Sequence, residues 1–403
     1  MGDDQMRAAW RNGALTAIMV LAPGGAVQAA WKETLLYSFG VGHADGIRPR
    51  DALLYRDGAL YGTTEQGGSA DHGTVFKVDP ATGAETVLYN FTGGADGANP
   101  DGGLIYQGGS LYGTTFEGGS FAGNCGAIGC GTVFKIDPST GAETVIHSFT
   151  GGLDGKRPWA ALIYEGGALF GTTTESSGAV NGGSDAGTVF KIDLATGAET
   201  VLHRFAGAPD GATPWAALIY QGGLLYGTTE QGGVSGNGTV FKVDPVSGAE
   251  MVLYSFTGGQ DGGDPYGGLI YQGGVFFGTT SFGGQGASDC GVKGCGTVFK
   301  VDPTTGAETV IHSFTGAPDG ATPIKALLFK GGALLGSTAG GGTSDHGSVF
   351  KIDPASGAEA VIYSVGADQF GATNELISQT GAVYGTTDNR GALGSGSVFK
   401  LAP

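Results

Sequence analysis

Residues 131–149 read G-T-V-F-K-I-D-P-S-T-G-A-E-T-V-I-H-S-F, and this stretch decides the fold. Two runs rich in β-branched and aromatic residues, Thr132 to Asp137 and Glu143 to Phe149, flank the turn D-P-S-T-G. The second run alternates with a period of two, as in a β-strand. Asp, Pro, Ser and Gly favour tight turns. The stretch therefore predicts a β-hairpin.

The motif G-[TS]-V-F-K recurs at intervals of about fifty residues, a period typical of propeller blades. Each copy contains four strand-like runs, and in the second copy the first two are Gly103 to Tyr106 and Leu111 to Thr115. We predict an all-β fold, a seven-bladed β-propeller with four antiparallel strands per blade, in one domain over residues 31–403. The seven copies begin at Gly73, Gly131, Gly187, Gly238, Gly296, Gly347 and Gly396.

The two ends of the repeat array complement each other. Glu33 to Phe39 reads E-T-L-L-Y-S-F and matches the fourth strand of a unit, as in Glu85 to Phe91. The last run, Ser397 to Leu401, is a third strand. We predict that the N-terminal run completes the last blade, which closes the ring and removes an exposed sheet edge.

The connections within each unit differ in length. Gln107-Gly108-Gly109 and the Asp137 to Gly141 turn are short and offer little room for variation. The connections from Phe116 to Gly131 and from Gly151 to Pro158 are longer and differ between copies. Alternate connections lie on opposite faces of a propeller, so all the long loops are expected on one face, the long-loop face, where a site should be sought.

The repeat units resemble those of a known family. The segments L-Y-G-T-T, G-T-V-F-K-[IV]-D-P and T-G-A-E-T-V-L-Y are similar to the Gloeo-Verruco (GloVer) repeats of exported bacterial proteins, over roughly Glu33 to Leu401. The resemblance implies an extracellular or cell-surface repeat protein and supplies no catalytic residues.

The first thirty residues differ from the rest of the chain. Arg7 and Arg11 precede an apolar run from Ala14 to Ala22, and Val27-Gln28-Ala29 offers small residues for cleavage. We predict a signal peptide over residues 1–30, with an uncleaved N-terminal anchor as the alternative. The mature protein is then expected to be secreted, extracellular or periplasmic, without membrane insertion.

Four cysteines form two matching pairs, Cys125 with Cys130 and Cys290 with Cys295. Because export favours oxidation, two local disulfides are predicted. A zinc site would need both pairs to converge, whereas the repeat places them on opposite sides of the ring. The cysteines therefore predict no metal site.

The charge balance excludes one class of partner. Lys and Arg number 20 against 37 Asp and Glu, a net charge of −17, so phosphate backbones are repelled. We expect no nucleic-acid partner, and we expect a monomer.

An Asp recurs in the loop that leads into every blade. A ring of carboxylates could attract calcium, but Asp-Gly is also a common turn former, and a residue repeated in every blade favours a structural role. No cofactor is expected, with calcium as the alternative. The residues are Asp45, Asp96, Asp154, Asp210, Asp261, Asp319 and Asp368.

What varies between blades is more informative about a ligand. The position after the leading proline, at the start of the innermost strand, holds Trp159, Trp215 and Tyr266 in three consecutive blades. Their rings are suited to stacking on sugars, although aromatic residues at this position could also plug the channel or pack beneath loops. The same position holds Arg50, Asp101 and Ile324 elsewhere, with Thr373 as counterpart in the last blade, and we predict ligand contacts for Arg50, Asp101 and Lys325 as well.

The same rim carries groups that could act in acid–base chemistry. Carboxylates follow G-T-T at Glu65, Glu117, Glu175, Glu230 and Asp388, and paired carboxylates are the machinery of glycosidases. His43, His72 and His346 lie in long-face loops, whereas His147, His203 and His312 exchange with Tyr and are interpreted as packing residues. The catalytic candidates are His43, His72, His346, Glu65 and Glu230.

Three functions remain open. The leading hypothesis is an exported binding propeller that recognises carbohydrate or another surface ligand on its long-loop face. The alternatives are an extracellular polysaccharide-cleaving enzyme, either hydrolase or lyase, and a structural or protein-interaction module, because propellers host all three.

Overall fold

A computed structural model describes residues 31–121, 124–176, 186–285, 290–366, 374–389, 391 and 393–403. These residues form seven four-stranded antiparallel sheets, which confirms the seven-bladed propeller. The predicted signal peptide, Asp368 and Thr373 lie outside the described residues.

The strands are numbered in chain order, and the blades are numbered by their G-[TS]-V-F-K motif. The chain begins with β1 (Lys32–Ser38). Blade 1 contains β2 (Leu54–Arg56), β3 (Ala59–Thr64), β4 (Thr74–Val78) and β5 (Glu85–Asn90). Blade 2 contains β6 (Ile105–Gln107), β7 (Ser110–Thr115), β8 (Thr132–Ile136) and β9 (Glu143–Ser148). Blade 3 contains β10 (Ile163–Glu165), β11 (Ala168–Thr173), β12 (Thr188–Asp193) and β13 (Glu199–Arg204).

A two-residue strand, β14 (Gly211–Ala212), precedes blade 4 and pairs with β17 (Gln231–Gly232). Blade 4 contains β15 (Ile219–Gln221), β16 (Leu224–Thr229), β18 (Thr239–Val243) and β19 (Glu250–Ser255). Blade 5 contains β20 (Ile270–Gln272), β21 (Val275–Thr280), β22 (Thr297–Val301) and β23 (Glu308–Ser313). Blade 6 contains β24 (Leu328–Lys330), β25 (Ala333–Thr338), β26 (Ser348–Ile352) and β27 (Glu359–Ser364). Blade 7 contains β28 (Ile377–Gln379), β29 (Ala382–Thr387) and β30 (Ser397–Ala402), and short 3-10 helices span Gly126–Ile128 and Gly291–Lys293.

The N-terminal strand closes the ring as predicted. β1 pairs antiparallel with β30, with Glu33 opposite Leu401, so blade 7 also has four strands. The backbone amide of Phe39, just after β1, donates to the Gly396 carbonyl oxygen at 3.0 Å. Phe39 is fully buried, and its ring lies 4.9 Å from that of Phe76 in blade 1. The first and last parts of the chain therefore share one hydrophobic core.

A glycine and a phenylalanine form the packing unit of each blade. Gly113 in β7 lies opposite Phe134 in β8, and a Cβ on Gly113 would come within 2.5 Å of Phe134 Cζ. The missing side chain leaves room for the ring, which then packs 5.1 Å from Phe91 of the preceding blade. This explains why L-Y-G-T-T and G-T-V-F occur together. The equivalent glycines are Gly62, Gly171, Gly227, Gly278, Gly336 and Gly385.

Hydrogen bonds between blades surround the channel. The first strands of successive blades contact one another, which places them innermost. The hydroxyl of Thr114 donates to the Ala160 carbonyl oxygen of the next blade at 3.2 Å. Thr386 in blade 7 makes the same bond to Asp51 in blade 1 at 3.3 Å. The same threonine hydrogen bond therefore joins blades that are consecutive in sequence and also joins blade 7 to blade 1.

The long loops of each blade pair with each other. The loop that leads into blade 1 forms a bridge between Ile47 and Gln66, and Ala98 bridges Glu117 in blade 2. The tight turns join first to second and third to fourth strands, so in antiparallel sheets they lie at the other end of the blade. The long-loop face therefore presents the leading loops and the loops after G-T-T side by side.

Candidate functional site

The rim of the channel is fixed by an unusual backbone conformation. The residue before the leading proline has a positive φ in six blades, for example 55° at Asn99 and 58° at Thr213. The Asn99 amide donates to the His72 carbonyl oxygen of the preceding blade, and the Asn99 carbonyl oxygen accepts from Phe116 in its own blade, both at 2.9 Å. Each leading proline is thus held by two blades. The other four residues are Arg48, Arg157, Asp264 and Thr322.

None of these six rim residues is glycine, although their backbone conformation favours it. The left-handed region favours glycine, and a residue with a Cβ costs about 1–2 kcal/mol there. The chain contains 82 glycines, yet none of the six positions has one. Two of the six side chains make ion pairs at the rim, Arg48 with Glu65 at 3.7 Å and Arg157 with Glu175.

Trp159, Trp215 and Tyr266, which we name the aromatic arc, lie in contact on one side of the mouth. The Trp159 and Trp215 rings meet edge to face at 4.9 Å, and the Trp215 and Tyr266 rings stack at 6.0 Å with 27° between their planes. All three side chains are half-buried. The adjacency that the sequence predicts is present, and part of each ring meets solvent.

Glu230 holds the aromatic arc in place. Trp215 Nε1 donates to Glu230 Oε2 at 2.6 Å, and the Tyr266 hydroxyl donates to Glu230 Oε1 at 2.8 Å. Burial, followed by the bond to Glu230, raises the pKa of Tyr266 well above its usual value, so the phenol remains a donor. Both oxygens of Glu230 are occupied. Its position therefore suits orienting the rings better than the acid–base role that the sequence suggested.

Arg50, Glu65, Asp101 and Lys325, which we name the charged arc, lie on the other side of the mouth. Arg50 Nε lies 2.6 Å from Glu65 Oε2 and 3.9 Å from Asp101 Oδ1. Lys325 Nζ donates to the Arg50 carbonyl oxygen at 2.8 Å. The Arg50 guanidinium lies 5.9 Å from the Trp159 ring, which connects the charged arc to the aromatic arc.

Asp101 is the most buried ionisable group of the charged arc. Its side chain is 2% exposed, and burial, followed by repulsion from Glu65, raises its pKa well above the usual value, with Arg50 and Lys325 opposing the shift. Asp101 Oδ1 has no hydrogen-bond partner within the described parts of the chain. A protonated Asp101 would be a hydrogen-bond donor at the mouth.

Asn374 and Glu375 at the channel were not predicted from the sequence. Burial and repulsion from Asp51 raise the pKa of Glu375 to about 7, and Lys325 opposes the shift. Asn374 Nδ2 donates to Asp388 Oδ1 and to the Pro49 carbonyl oxygen, each at 2.6 Å. A comparison of the repeats could have found them. The equivalent pairs are Gly102-Gly103 in blade 2 and Ala160-Ala161 in blade 3, so two polar residues at this position in blade 7 are unusual.

The three histidine candidates contact loop backbone. A Cβ on Gly93 would come within 2.4 Å of the His72 ring, so this ring covers the next leading loop. His346 Nδ1 contacts the Ser344 carbonyl oxygen, and the His43 carbonyl oxygen accepts from the Gly68 amide at 2.7 Å. These contacts suit loop support, and a catalytic role for the histidines stays a prediction.

A separate cluster of charged rim groups lies beside Trp159. Glu175 pairs with Lys156 Nζ at 3.1 Å and also with Arg157. The Arg157 guanidinium lies 5.3 Å from the Phe116 ring, whose own centroid is 5.1 Å from that of Trp159. The aromatic surface therefore continues outward from the aromatic arc.

The leading-loop aspartates have structural partners. Asp45 accepts from the Tyr37 hydroxyl at 2.7 Å and from the Gly40 amide at 3.1 Å. Asp210 has the same place beside His203, with Nε2 and Oδ2 3.1 Å apart. Tyr and His exchange at the fourth strand because both can contact this carboxylate. The sequence identified the residues as packing groups and missed this polar contact.

The cysteines pair as predicted. Cys125 is bonded to Cys130 and Cys290 to Cys295, with Cα atoms 5.0 and 5.3 Å apart, in the loops after G-T-T of blades 2 and 5. Such bonds are typical of oxidising compartments. Within the described segments, a helix with the length and apolar character needed to cross a bilayer is absent.

Comparisons with known proteins agree on the repeat and the fold. The model of the Gloeobacter/Verrucomicrobia repeat matches residues 26–184, 121–288 and 286–403. No curated protein matches this chain. The structure is similar to that of an oligogalacturonate lyase from Vibrio parahaemolyticus, at 10% identity and TM-score 0.56, covering 92% of this chain and 93% of that one.

Two further solved structures are similar to the chain. An oligogalacturonate lyase in complex with manganese shares 11% identity at TM-score 0.51, covering 92% of both chains. A chain of a nidogen/laminin complex shares 13% identity at TM-score 0.42, covering 75% of this chain and 90% of that one. At 10% and 11% identity, the likeness to the two lyases shows the fold alone.

Proposed function

We propose that this chain, which belongs to the Gloeobacter/Verrucomicrobia repeat family, is an exported binding propeller whose long-loop face recognises a carbohydrate. The observation that carries the proposal is the contact between the aromatic arc and the charged arc at the mouth of the channel. A sugar presents apolar C–H faces and polar hydroxyl groups together. A surface with both kinds of group side by side suits that chemistry.

Each arc supplies a different part of the recognition. The exposed parts of Trp159, Trp215 and Tyr266 offer stacking faces, and Glu230 fixes their orientation before a ligand arrives. Preorganised rings lose little conformational freedom on binding. Arg50 and Lys325 offer hydrogen-bond donors to hydroxyl oxygens. The carboxyl group of Asp101, whose pKa is raised by burial, lies beside them.

Export is part of the proposal. Two disulfides and the leader-like residues 1–30 favour a secreted or periplasmic location. The acidic balance disfavours nucleic acid as the ligand. We also propose that the protein acts as a monomer.

A polysaccharide-cleaving enzyme is the second candidate. Asp101, with its raised pKa, and Glu65 both lie beside Arg50, and an acid next to a second carboxylate is a glycosidase requirement. A third candidate is a structural or protein-interaction module, which would need neither arc. The similarity to the two lyases named above concerns the fold and gives no support for lyase chemistry in this chain.

One experiment separates the three candidates. The mature protein is incubated with a panel of insoluble and soluble polysaccharides, and both retention and new reducing or unsaturated ends are measured. We expect retention without products. Trp159→Ala and Trp215→Ala should each weaken binding about tenfold, because each removes a stacking face. Products would favour the enzyme, and the absence of both retention and products would favour the interaction module.

A matched control keeps the result specific. Tyr164 is an exposed aromatic residue beside a tight turn, at the opposite end of its blade. Tyr164→Ala should bind like the unaltered protein. Retention that persists in the Trp159→Ala, Trp215→Ala double variant would remove the aromatic arc from the proposal.

A further inference from the structure

The outer ends of neighbouring blades share a repeated set of side chains, away from the channel. At each such place, which we name a blade junction, the leading-loop Asp lies beside a Tyr or His of one fourth strand wherever the structure describes that Asp. A Glu that begins the fourth strand of the next blade lies near the same Asp. Between blades 3 and 4 these residues are His203 in β13, Asp210 and Glu250 in β19.

The junction between blades 3 and 4 has the geometry of a ligand set. His203 Nε2 lies 3.1 Å from Asp210 Oδ2, and one ligand atom from each of His203, Asp210 and Glu250 lies within 4.8 Å of the other two. Glu250 Oε1 is shielded from solvent and has no hydrogen-bond partner among the residues that the structure describes. The same is true of the equivalent oxygen in five other blades, so the convergence of the three ligand atoms, and not this oxygen, distinguishes the site. The five residues are Glu85, Glu143, Glu199, Glu308 and Glu359.

The backbone preorganises this set. Asp210 Oδ2 accepts from the Ala206 amide at 3.0 Å, and Asp210 Oδ1 accepts from the Gly211 amide at 2.7 Å. His203 is held by the β12–β13 ladder, and its ring packs 4.9 Å from that of Phe205. The carboxylate and the imidazole are therefore fixed relative to each other.

We propose that His203, Asp210 and Glu250 bind a divalent transition-metal ion, with Zn²⁺ as the ion of best fit. One imidazole and two carboxylates are common protein ligands of zinc, and nitrogen and oxygen ligands lie about 2.0–2.2 Å from it. Two ligand atoms at such distances in a tetrahedron are about 3.3–3.6 Å apart. The 3.1 Å between His203 Nε2 and Asp210 Oδ2 would therefore widen by a few tenths of an ångström when the ion binds. Water can occupy a fourth position.

Other junctions show that solvent reaches this part of the blade. The junction of blades 4 and 5 contains a cavity of about 280 Å³ lined by Asp261, Glu308 and neighbouring residues. A larger depression of about 530 Å³, open to solvent, is lined by Asp96 and Glu143 at the junction of blades 1 and 2. An ion at His203 would join blade 3 to blade 4, so its expected role is to stabilise the ring.

The chain also contains natural comparisons. Tyr89 and Tyr254 occupy the position of His203 at other junctions and donate to Asp96 and Asp261 at 3.0 and 2.9 Å. Since neutral tyrosine is a poor zinc ligand, these junctions lack the set. Histidine also occupies this position at His147 and His312. Among the described residues, however, only the set of His203, Asp210 and Glu250 brings its ligand atoms within 4.8 Å of one another.

The test measures metal binding directly. Untagged mature protein is stripped with a chelator, dialysed and titrated with Zn²⁺ by calorimetry, with cobalt absorption as a second readout. We expect an equivalent of Zn²⁺ that depends on His203, visible-range absorption of bound Co²⁺, and a higher melting temperature with the metal. His203→Tyr should lose this equivalent and the Co²⁺ signal while retaining the fold, because the chain already uses Tyr at this position.

Two further variants make the outcome decisive. Glu250→Gln keeps the side-chain shape and should weaken Zn²⁺ binding at least tenfold. His312→Tyr changes the equivalent residue between blades 5 and 6 and should leave the His203-dependent equivalent in place. Failure of the unaltered protein to bind Zn²⁺, equal binding by His203→Tyr, or equal loss in His312→Tyr would each overturn the proposal.

Discussion

At the scale of single residues, half-buried carboxyl groups at the blade junctions contribute to how stability depends on pH. Burial, followed by repulsion from Asp96, raises the pKa of Glu143 to about 7, and Glu85 and Glu308 have the same shift for the same reasons. A carboxyl group whose pKa rises on folding binds its proton more tightly in the folded state. Its contribution to stability is therefore present below the unfolded pKa and is lost as pH rises to about 7.

This sign gives a prediction for Glu143→Gln. The amide cannot ionise, so the variant should be more stable than the unaltered protein at pH 8 and equally stable at pH 4. The expected gain at pH 8 is about 1 kcal/mol, below the full linkage value because one side of the group meets solvent. Urea denaturation at both pH values measures it. Glu165→Gln, at an exposed turn, serves as the control, and a pH-independent gain in Glu143→Gln would contradict the argument.

The sequence could predict some of the candidate site at this scale. Trp159, Trp215 and Tyr266 were predictable neighbours because one position per blade maps onto one place around a ring. The role of Glu230 was not predictable, since its hydrogen bond to Tyr266 joins residues 36 positions apart in different blades. The same limit applies to His203 and Glu250, whose proximity depends on the angle between adjacent blades.

At the scale of elements, the strands follow the sequence pattern closely, with one instructive difference. The sequence predicts a first strand from Gly103, whereas β6 begins at Ile105. A Cβ on Gly102 would come within 2.8 Å of the Trp159 and Ala160 carbonyl oxygens of the next blade. The glycines here permit contact between blades, and local strand propensity cannot reveal that constraint.

The glycine in the middle of each second strand gives a sharp prediction. Gly113→Ala would place a methyl group 2.5 Å from Phe134 Cζ and 3.0 Å from Leu104 Cδ2 in a closed core. Overpacking of this kind costs about 1–3 kcal/mol. The loss should appear as a lower urea midpoint with an unchanged slope.

Gly152→Ala is the matched control for that measurement. A Cβ on Gly152 would meet its neighbours at ordinary contact distances, the shortest being 3.4 Å to Thr150 Oγ1. Its stability should remain close to that of the unaltered protein. Equal losses in the two variants would indicate a general glycine effect and not the pairing of Gly113 with Phe134.

At the scale of the whole molecule, closure depends on a strand from the opposite end of the chain. The sequence predicted this pairing because the repeat pattern shows which strand each end supplies. The structure adds the core that accompanies it: Phe39 packs with Leu53 and Phe76 of blade 1 and with Tyr384 of blade 7. The Tyr363 hydroxyl of blade 6 also contacts Glu33.

Deleting residues 31–39 should therefore do more than remove one strand. The edge of β30 becomes exposed, and the cluster around Phe76 loses the fully buried ring of Phe39. We expect a sharp fall in melting temperature and self-association through the free edge. Leu35→Ala is a mild control, because Leu35 is 51% exposed. Calorimetry and light scattering measure the two effects, and an unchanged melting temperature would contradict closure by β1.

The decisive version moves the strand instead of deleting it. In the other blades the third and fourth strands are joined by turns such as Asp137-Pro138-Ser139-Thr140-Gly141. A permuted chain that starts at Gly40, replaces Ala402-Pro403 with D-P-S-T-G-A and ends with residues 33–39 would rebuild blade 7 from a local hairpin. Because the same strand then fills the same place, most of the stability lost on deletion should return, whereas a scrambled 33–39 segment should not restore it. Equal melting temperatures for the permuted and scrambled chains would show that the sequence of this strand does not matter. In that case, pairing with β30 and packing of Phe39 in the core of blade 1 could not be what closes the ring.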